Sequence, residues 1–183
     1  MLLHRLFLIL LCSFFPLLSS AQSAEEGIGA MDWIVGKWSI SGGEQDSDGS
    51  FFKETGFNQC AYVSKARMIR CELSLITEEA GGRYKGKWAS RSIITYFSYN
   101  NQTKQFLIRH IFPNRTHEHN FVALNNSVFQ GKWVNKSSPI GGNLDARLRI
   151  EQLNKNTYVY SEFLKSQSSS FQEDFKLTGR RIE

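Results

Sequence analysis

The sequence predicts an all-β chain closed into an antiparallel up-and-down barrel of about ten strands, and three observations carry that prediction. Short runs rich in β-branched and aromatic residues recur along the chain, separated at regular spacing by turn-forming residues. Period-two alternation is explicit near the carboxyl terminus. There Leu144, Ala146, Leu148 and Ile150 share one face, while Asp145, Arg147, Arg149 and Glu151 share the other. No segment carries a long helical period. Ten sequentially connected strands left as an open sheet would expose two edges, and closure removes both.

The strands follow in order. A short helical turn around Gly29 to Met31 precedes a first strand from Trp33 to Ser41, and the polar loop 42–49 leads to a second from Phe51 to Cys60. Its hairpin partner runs from Arg67 to about Thr77. Beyond Gly81-Gly82 and a basic aromatic stretch at Arg83 to Lys87, strands at Ser92 to Ser98 and Lys104 to Phe112 are joined by Asn100-Asn101-Gln102. Five more runs cover His117 to Leu124, Val128 to Val134, Leu144 to Leu153, Thr157 to Leu164 and Phe171 to Thr178. Their connections are rich in Asn, Ser, Gly and Lys, as turns require.

At 183 residues the chain fits one domain with a sizeable core. Its 21% charged fraction and 14 phenylalanines exclude a disordered chain, and three prolines exclude a collagen-like or proline-rich one. The first residues read as a secretory signal. His4 and Arg5 form a basic start, Leu6 to Leu18 is uncharged, and Ser19-Ser20-Ala21-Gln22-Ser23-Ala24 supplies small residues for cleavage after Ala21 or Ser23. The apolar run is shorter than the roughly 20 residues that span a bilayer. Leu11 before Cys12 also argues against a lipoprotein signal. Residues 1–23 are therefore expected to be a cleaved signal peptide and 24–183 the barrel domain. The mature protein is expected to be periplasmic or secreted, with no stable membrane span.

Cleavage removes Cys12 and leaves Cys60 and Cys71, which an oxidising compartment should pair. The ten residues between them are apolar at both ends and polar in the middle, as a hairpin would be. With Lys65 and Ala66 at the tip, Ser64 faces Arg67, Val63 faces Met68 and Cys60 lands opposite Cys71. Closing so short a loop contributes roughly 3 kcal/mol in the chain-entropy description.

The segment Met31-Asp32-Trp33-Ile34-Val35-Gly36-Lys37-Trp38 resembles the opening Gly-x-Trp strand of lipocalin-like (calycin) barrels. From Trp33 through the cysteine hairpin to the terminal arginines, the chain is similar to an uncharacterised group of exported bacterial lipocalin-like proteins, for which no activity is established. The resemblance implies that Gly36 and Trp38 close one barrel end beneath a basic side chain, supplied by Arg180 or Arg181 through a cation–π contact.

His110, His117 and His119 carry the most chemistry. With Pro113-Asn114 at a hairpin tip, Phe112 opposes Arg115, His110 opposes His117 and Ile108 opposes His119, so all three imidazoles share one face. Arg109 and Glu118 would pair on the other. The histidine face also carries Phe106, Ile108, Phe112, Phe121 and Ala123, which makes it the interior. Three roles are open to these histidines: structural or rim residues, contacts to an organic ligand, or ligands to zinc, copper or haem iron.

Other signals are fainter. Arg83, Lys85, Lys87 and Arg91 interleave with Tyr84 and Trp88, but the basic residues are spread along the chain rather than concentrated as in a nucleic-acid footprint. Asn-x-Ser/Thr sites at Asn101, Asn114, Asn125 and Asn135 fall in expected turns. Glu78-Glu79 and Glu173-Asp174 would point to opposite faces and read as solvated charges. Hydrolase, metalloprotease and phosphate-loop motifs are absent, as is a nucleophilic cysteine. The reading that results is an exported barrel binding a small apolar or amphipathic molecule, with Trp38, Phe106, His110, His117, His119, Phe121 and Trp133 as pocket candidates. A metal- or haem-binding barrel using the three histidines, open to an enzymatic role, and a filled barrel acting through a protein partner are the alternatives.

Overall fold

The computed structural model describes residues 24–45, 51–65, 67–79, 88–133, 145–165 and 170–182. The expected signal peptide, residues 1–23, lies outside them, as do Arg83 to Lys87, Val134, Asn135 and Leu144. A short helix α1 (Ala24–Gly29) and a 3-10 turn (Asp32–Ile34) precede ten strands. These are β1 (Gly36–Gln45), β2 (Phe51–Val63), β3 (Met68–Glu79), β4 (Trp88–Asn100), β5 (Gln105–Phe112), β6 (Arg115–Asn125), β7 (Val128–Trp133), β8 (Asp145–Asn154), β9 (Thr157–Lys165) and β10 (Gln172–Arg181). Each pairs antiparallel with its sequence neighbour, and β1 pairs with β10 to close the barrel. Among the described residues no helix is long and apolar enough to cross a membrane.

The expected turn at Gly29 to Met31 is larger than the sequence suggested, and it moves the start of the first strand. Trp33 and Ile34 belong to the 3-10 turn rather than to β1. Ile28, Met31 and Ile34 are almost fully buried and enter the barrel end, where they join Phe97, Phe106, Ile108, Phe121, Phe129, Leu148 and Ile150 in one apolar cluster. The N-terminal segment is therefore a plug. It hides apolar surface that a bare barrel end would leave in water.

β1 begins at Gly36, whose φ of 134° lies where only glycine is comfortable. Two residues on, Trp38 is fully buried and donates its indole N–H to the Ile34 carbonyl at 2.8 Å. Its ring meets Tyr158 edge-on with centroids 4.8 Å apart, and Tyr158 occupies the place a side chain at Gly179 would need. The Arg181 guanidinium sits 4.2 Å from the centre of the Trp38 ring. It also donates to the carbonyls of Trp33 (2.7 Å) and Val35 (2.9 Å), tying the 3-10 turn to the last strand. Arg180, one residue earlier, is exposed, because adjacent strand residues face opposite sides.

Cys60 stands opposite Cys71 in the β2–β3 register, with Cα atoms 4.0 Å apart and the sulfurs at disulfide-bonding distance. Val63 pairs with Met68, and the Arg67 amide donates to the Ser64 carbonyl across the tip. On β8, Ala146, Leu148 and Ile150 are buried while Arg147, Arg149 and Glu151 lie outside.

Candidate functional site

Above the plug the barrel retains a cavity of about 250 Å³. Its apolar wall includes Ile34, Leu73, Leu75, Ile93, Phe97 and Leu177. The polar wall is built from β5, β6 and β9: His110, His117 and His119 beside Tyr158, Tyr160 and Glu162. Arg91, Phe112, Arg115, Asp174 and Phe175 line it towards the β5–β6 turn, away from the plug.

The β5–β6 register sets the histidines. Phe112 pairs with Arg115, His110 with His117, Ile108 with His119 and Arg109 with Glu118. Arg109 and Glu118 form an ion pair on the outer face, so the three imidazoles face inward. Ring centroids of His110 and His119 are 5.2 Å apart, and those of His117 and His119 are 6.4 Å apart. His119 is buried, and His110 and His117 are half-buried. Burial, reinforced by the neighbouring His117, holds the His110 imidazole down at about 4. Burial also lowers His119 to about 3, with His110 and His117 adding to the effect. His117 is lowered too, by burial and by Arg115. At neutral pH all three are uncharged rings, each offering one N–H and one lone pair.

The Thr95 hydroxyl lies 2.9 Å from His110 Nδ1 and orients that ring. His110 Nε2 is buried and has no hydrogen-bond partner among the described residues. Tyr160 donates to Glu162 at 2.7 Å, and burial together with that carboxylate pushes its phenol well above the usual value. Tyr158 accepts from Asn58 Nδ2 at 3.0 Å, and burial raises it to about 12. Both tyrosines are therefore protonated donors. Behind Arg91 sits the buried carboxylate of Glu54, ion-paired with that guanidinium and accepting from the Thr77 hydroxyl at 3.0 Å.

The three histidines expected in the pocket line the cavity. The aromatic candidates are placed otherwise: Phe106 and Phe121 are buried in the cluster around the plug, and Trp38 is sealed under Arg181. None of them is among the lining residues. Trp133 ends β7, and its side chain lies outside the described residues. Among the described residues, no group of three or more His, Cys, Asp or Glu side chains is arranged to hold a metal ion.

Several lining residues have no counterpart in the sequence reading. Tyr158 and Tyr160 could have been found, since they alternate with outward-facing Val159 on β9. Asp174 could not. It is the extra residue at a bulge between Glu173 and Phe175, and that irregularity breaks strict alternation. Of the four Asn-x-Ser/Thr sites, Asn101 and Asn114 lie exposed in turns. Asn125 ends β6, and its side chain accepts from the Ser127 amide at 2.8 Å.

No family model matches the chain, and no curated protein does either. Solved structures do. The crystal structure of Rv2717c from M. tuberculosis matches with a TM-score of 0.53 at 14% identity, covering 86% of this chain and 98% of that one. The S-type phycobiliprotein lyase CPES from Guillardia theta matches with a TM-score of 0.53 at 9% identity, covering 89% of this chain and 95% of that one. Likeness at such identity establishes the shared barrel fold.

Proposed function

We propose that this protein is an exported, lipocalin-like carrier of a small amphipathic molecule held in the barrel cavity. One observation carries the reading: a cavity with an apolar wall on one side and, on the other, three neutral imidazoles and two protonated tyrosines. Binding sites combine apolar lining with a few placed polar groups in this way. The apolar wall takes the ligand's hydrocarbon surface. The unpartnered Nε2 of His110 supplies a hydrogen-bonding position that a polar group of the ligand satisfies. A volume near 250 Å³ falls just under the roughly 300–1,000 Å³ of common ligand pockets, so the cargo is compact.

Native mass spectrometry of protein purified from its host tests this. The expected result is an organic adduct that is released on unfolding, with no metal in the preparation. An absorption band of haem, or stoichiometric zinc or copper, would replace the carrier reading with the metal-binding one. An adduct-free protein that captures nothing from host lipid extract would leave only a partner-binding module.

A further inference from the structure

We propose that the plugged end of the barrel docks on an anionic lipid surface. An up-and-down barrel sends alternate hairpins to opposite ends, so the β2–β3, β4–β5, β6–β7 and β8–β9 turns gather around the plug. Three of those four tips carry exposed cations: Lys65 and Arg67 on the first, Lys104 on the second and Lys155 on the fourth. None of the four forms an ion pair among the described residues. Nearby acids on the strands are already neutralised, Glu72 by Arg70 and Glu151 by Arg149. Asp32 is the other exposed acid there among the described side chains, and α1 carries Glu25 and Glu26 at the same end. Beside the third and fourth tips Leu124 and Leu153 are more than half exposed, as is Ile182 just after β10.

Cations with exposed aliphatic groups between them suit the boundary of an acidic bilayer, where charge attracts the headgroups and the aliphatic side chains enter the interface. A single-stranded nucleic acid would call for exposed aromatic stacking platforms instead. The backbone adds an independent observation. Lys65 and Lys104 both sit at a φ of 56°, in the left-handed region that favours glycine or asparagine. Turn geometry does not select lysine at either position, and a positive charge at the tip is what lysine adds. Docked this way, the barrel turns its opposite end, with Arg115 and Asp174, towards water.

Co-sedimentation with phosphatidylglycerol-containing vesicles, compared with pure phosphatidylcholine vesicles, is the test. The protein is expected to bind the anionic vesicles, to release at high salt and to ignore the neutral ones. Replacing both left-handed lysines, K65G with K104G, should weaken vesicle binding by about tenfold or more while Tm stays level or rises. Lys132→Glu, an exposed charge on β7 in the barrel wall, should have a much smaller effect. Equal binding to both vesicle types would overturn the proposal, as would undiminished binding by the double variant. Tighter binding to polyglutamate than to vesicles would also overturn it, and would identify an acidic protein as the partner.

Discussion

Acidification from neutral pH to about pH 4.5 is expected to remove on the order of 3–5 kcal/mol from the stability of this barrel. The cause is a pair of desolvated imidazoles, His119 buried and His110 half-buried with its Nε2 shut away from water. An unfolded histidine titrates near 6.5, whereas folding holds His110 at about 4 and His119 at about 3. Above roughly pH 6.5 both states carry neutral rings and the pair makes no pH-dependent contribution. As pH falls below that value the unfolded chain binds protons that the folded protein refuses, so each histidine weakens folding by up to about 1.4 kcal/mol per pH unit. The loss continues until the folded rings themselves protonate. Urea denaturation at a series of pH values measures it directly, and His119→Phe should remove about half of the slope. A curve that stays flat to about pH 4.5 would mean the histidine face is wetter than the fold implies.

The second large effect is expected at the sealed end. Trp38→Ala should cost about 3–5 kcal/mol, because it empties a fully buried site and leaves the surroundings only partly able to collapse. More than volume is lost. The indole N–H no longer satisfies the Ile34 carbonyl, Tyr158 loses its edge-on partner, and Arg181 loses the ring beneath its guanidinium. Arg181→Ala should be milder, about 1–2 kcal/mol, since that side chain is half exposed. The two changes together should cost less than their sum, because each removes the same contact. Equilibrium unfolding of the two single variants and the double variant supplies the cycle. Strict additivity would show that the arginine and the tryptophan are neighbours without coupling.

How much was legible in the sequence depended on whether local rules governed. Hairpin registers were legible: a polar tip between alternating runs fixes which residues face each other, and both Cys60 with Cys71 and His110 with His117 paired as expected. Arg181 was legible as the cover of Trp38 only as one of two adjacent candidates, and strand alternation separated it from Arg180. Pocket membership was not legible, because it depends on what fills the barrel. Phe106 and Phe121 face inward as expected, yet the N-terminal segment enters the same space, and Ile28 and Met31 turn those rings into core. On β2 hydrophobicity does not mark the inward face: Phe57 is 64% exposed while Glu54 and Asn58 are buried. Their partners, Arg91 with Thr77 and Tyr158, come from other strands, and only the closed barrel brings them together.

On the carrier proposal the cavity is a binding site and not a packing defect. Titration with an amphipathic fluorescent probe, 8-anilinonaphthalene-1-sulfonate, against the wild type and Leu73→Trp tests it most directly. Leu73 is half-buried and lines the apolar wall, packed against the cluster that holds Trp38, so a larger ring there takes up cavity volume. Saturable binding to the wild type is expected, with a rise in Kd of at least about tenfold in the variant and Tm held. Equal affinities for both proteins would place the probe on the outer surface and contradict a ligand site inside the barrel.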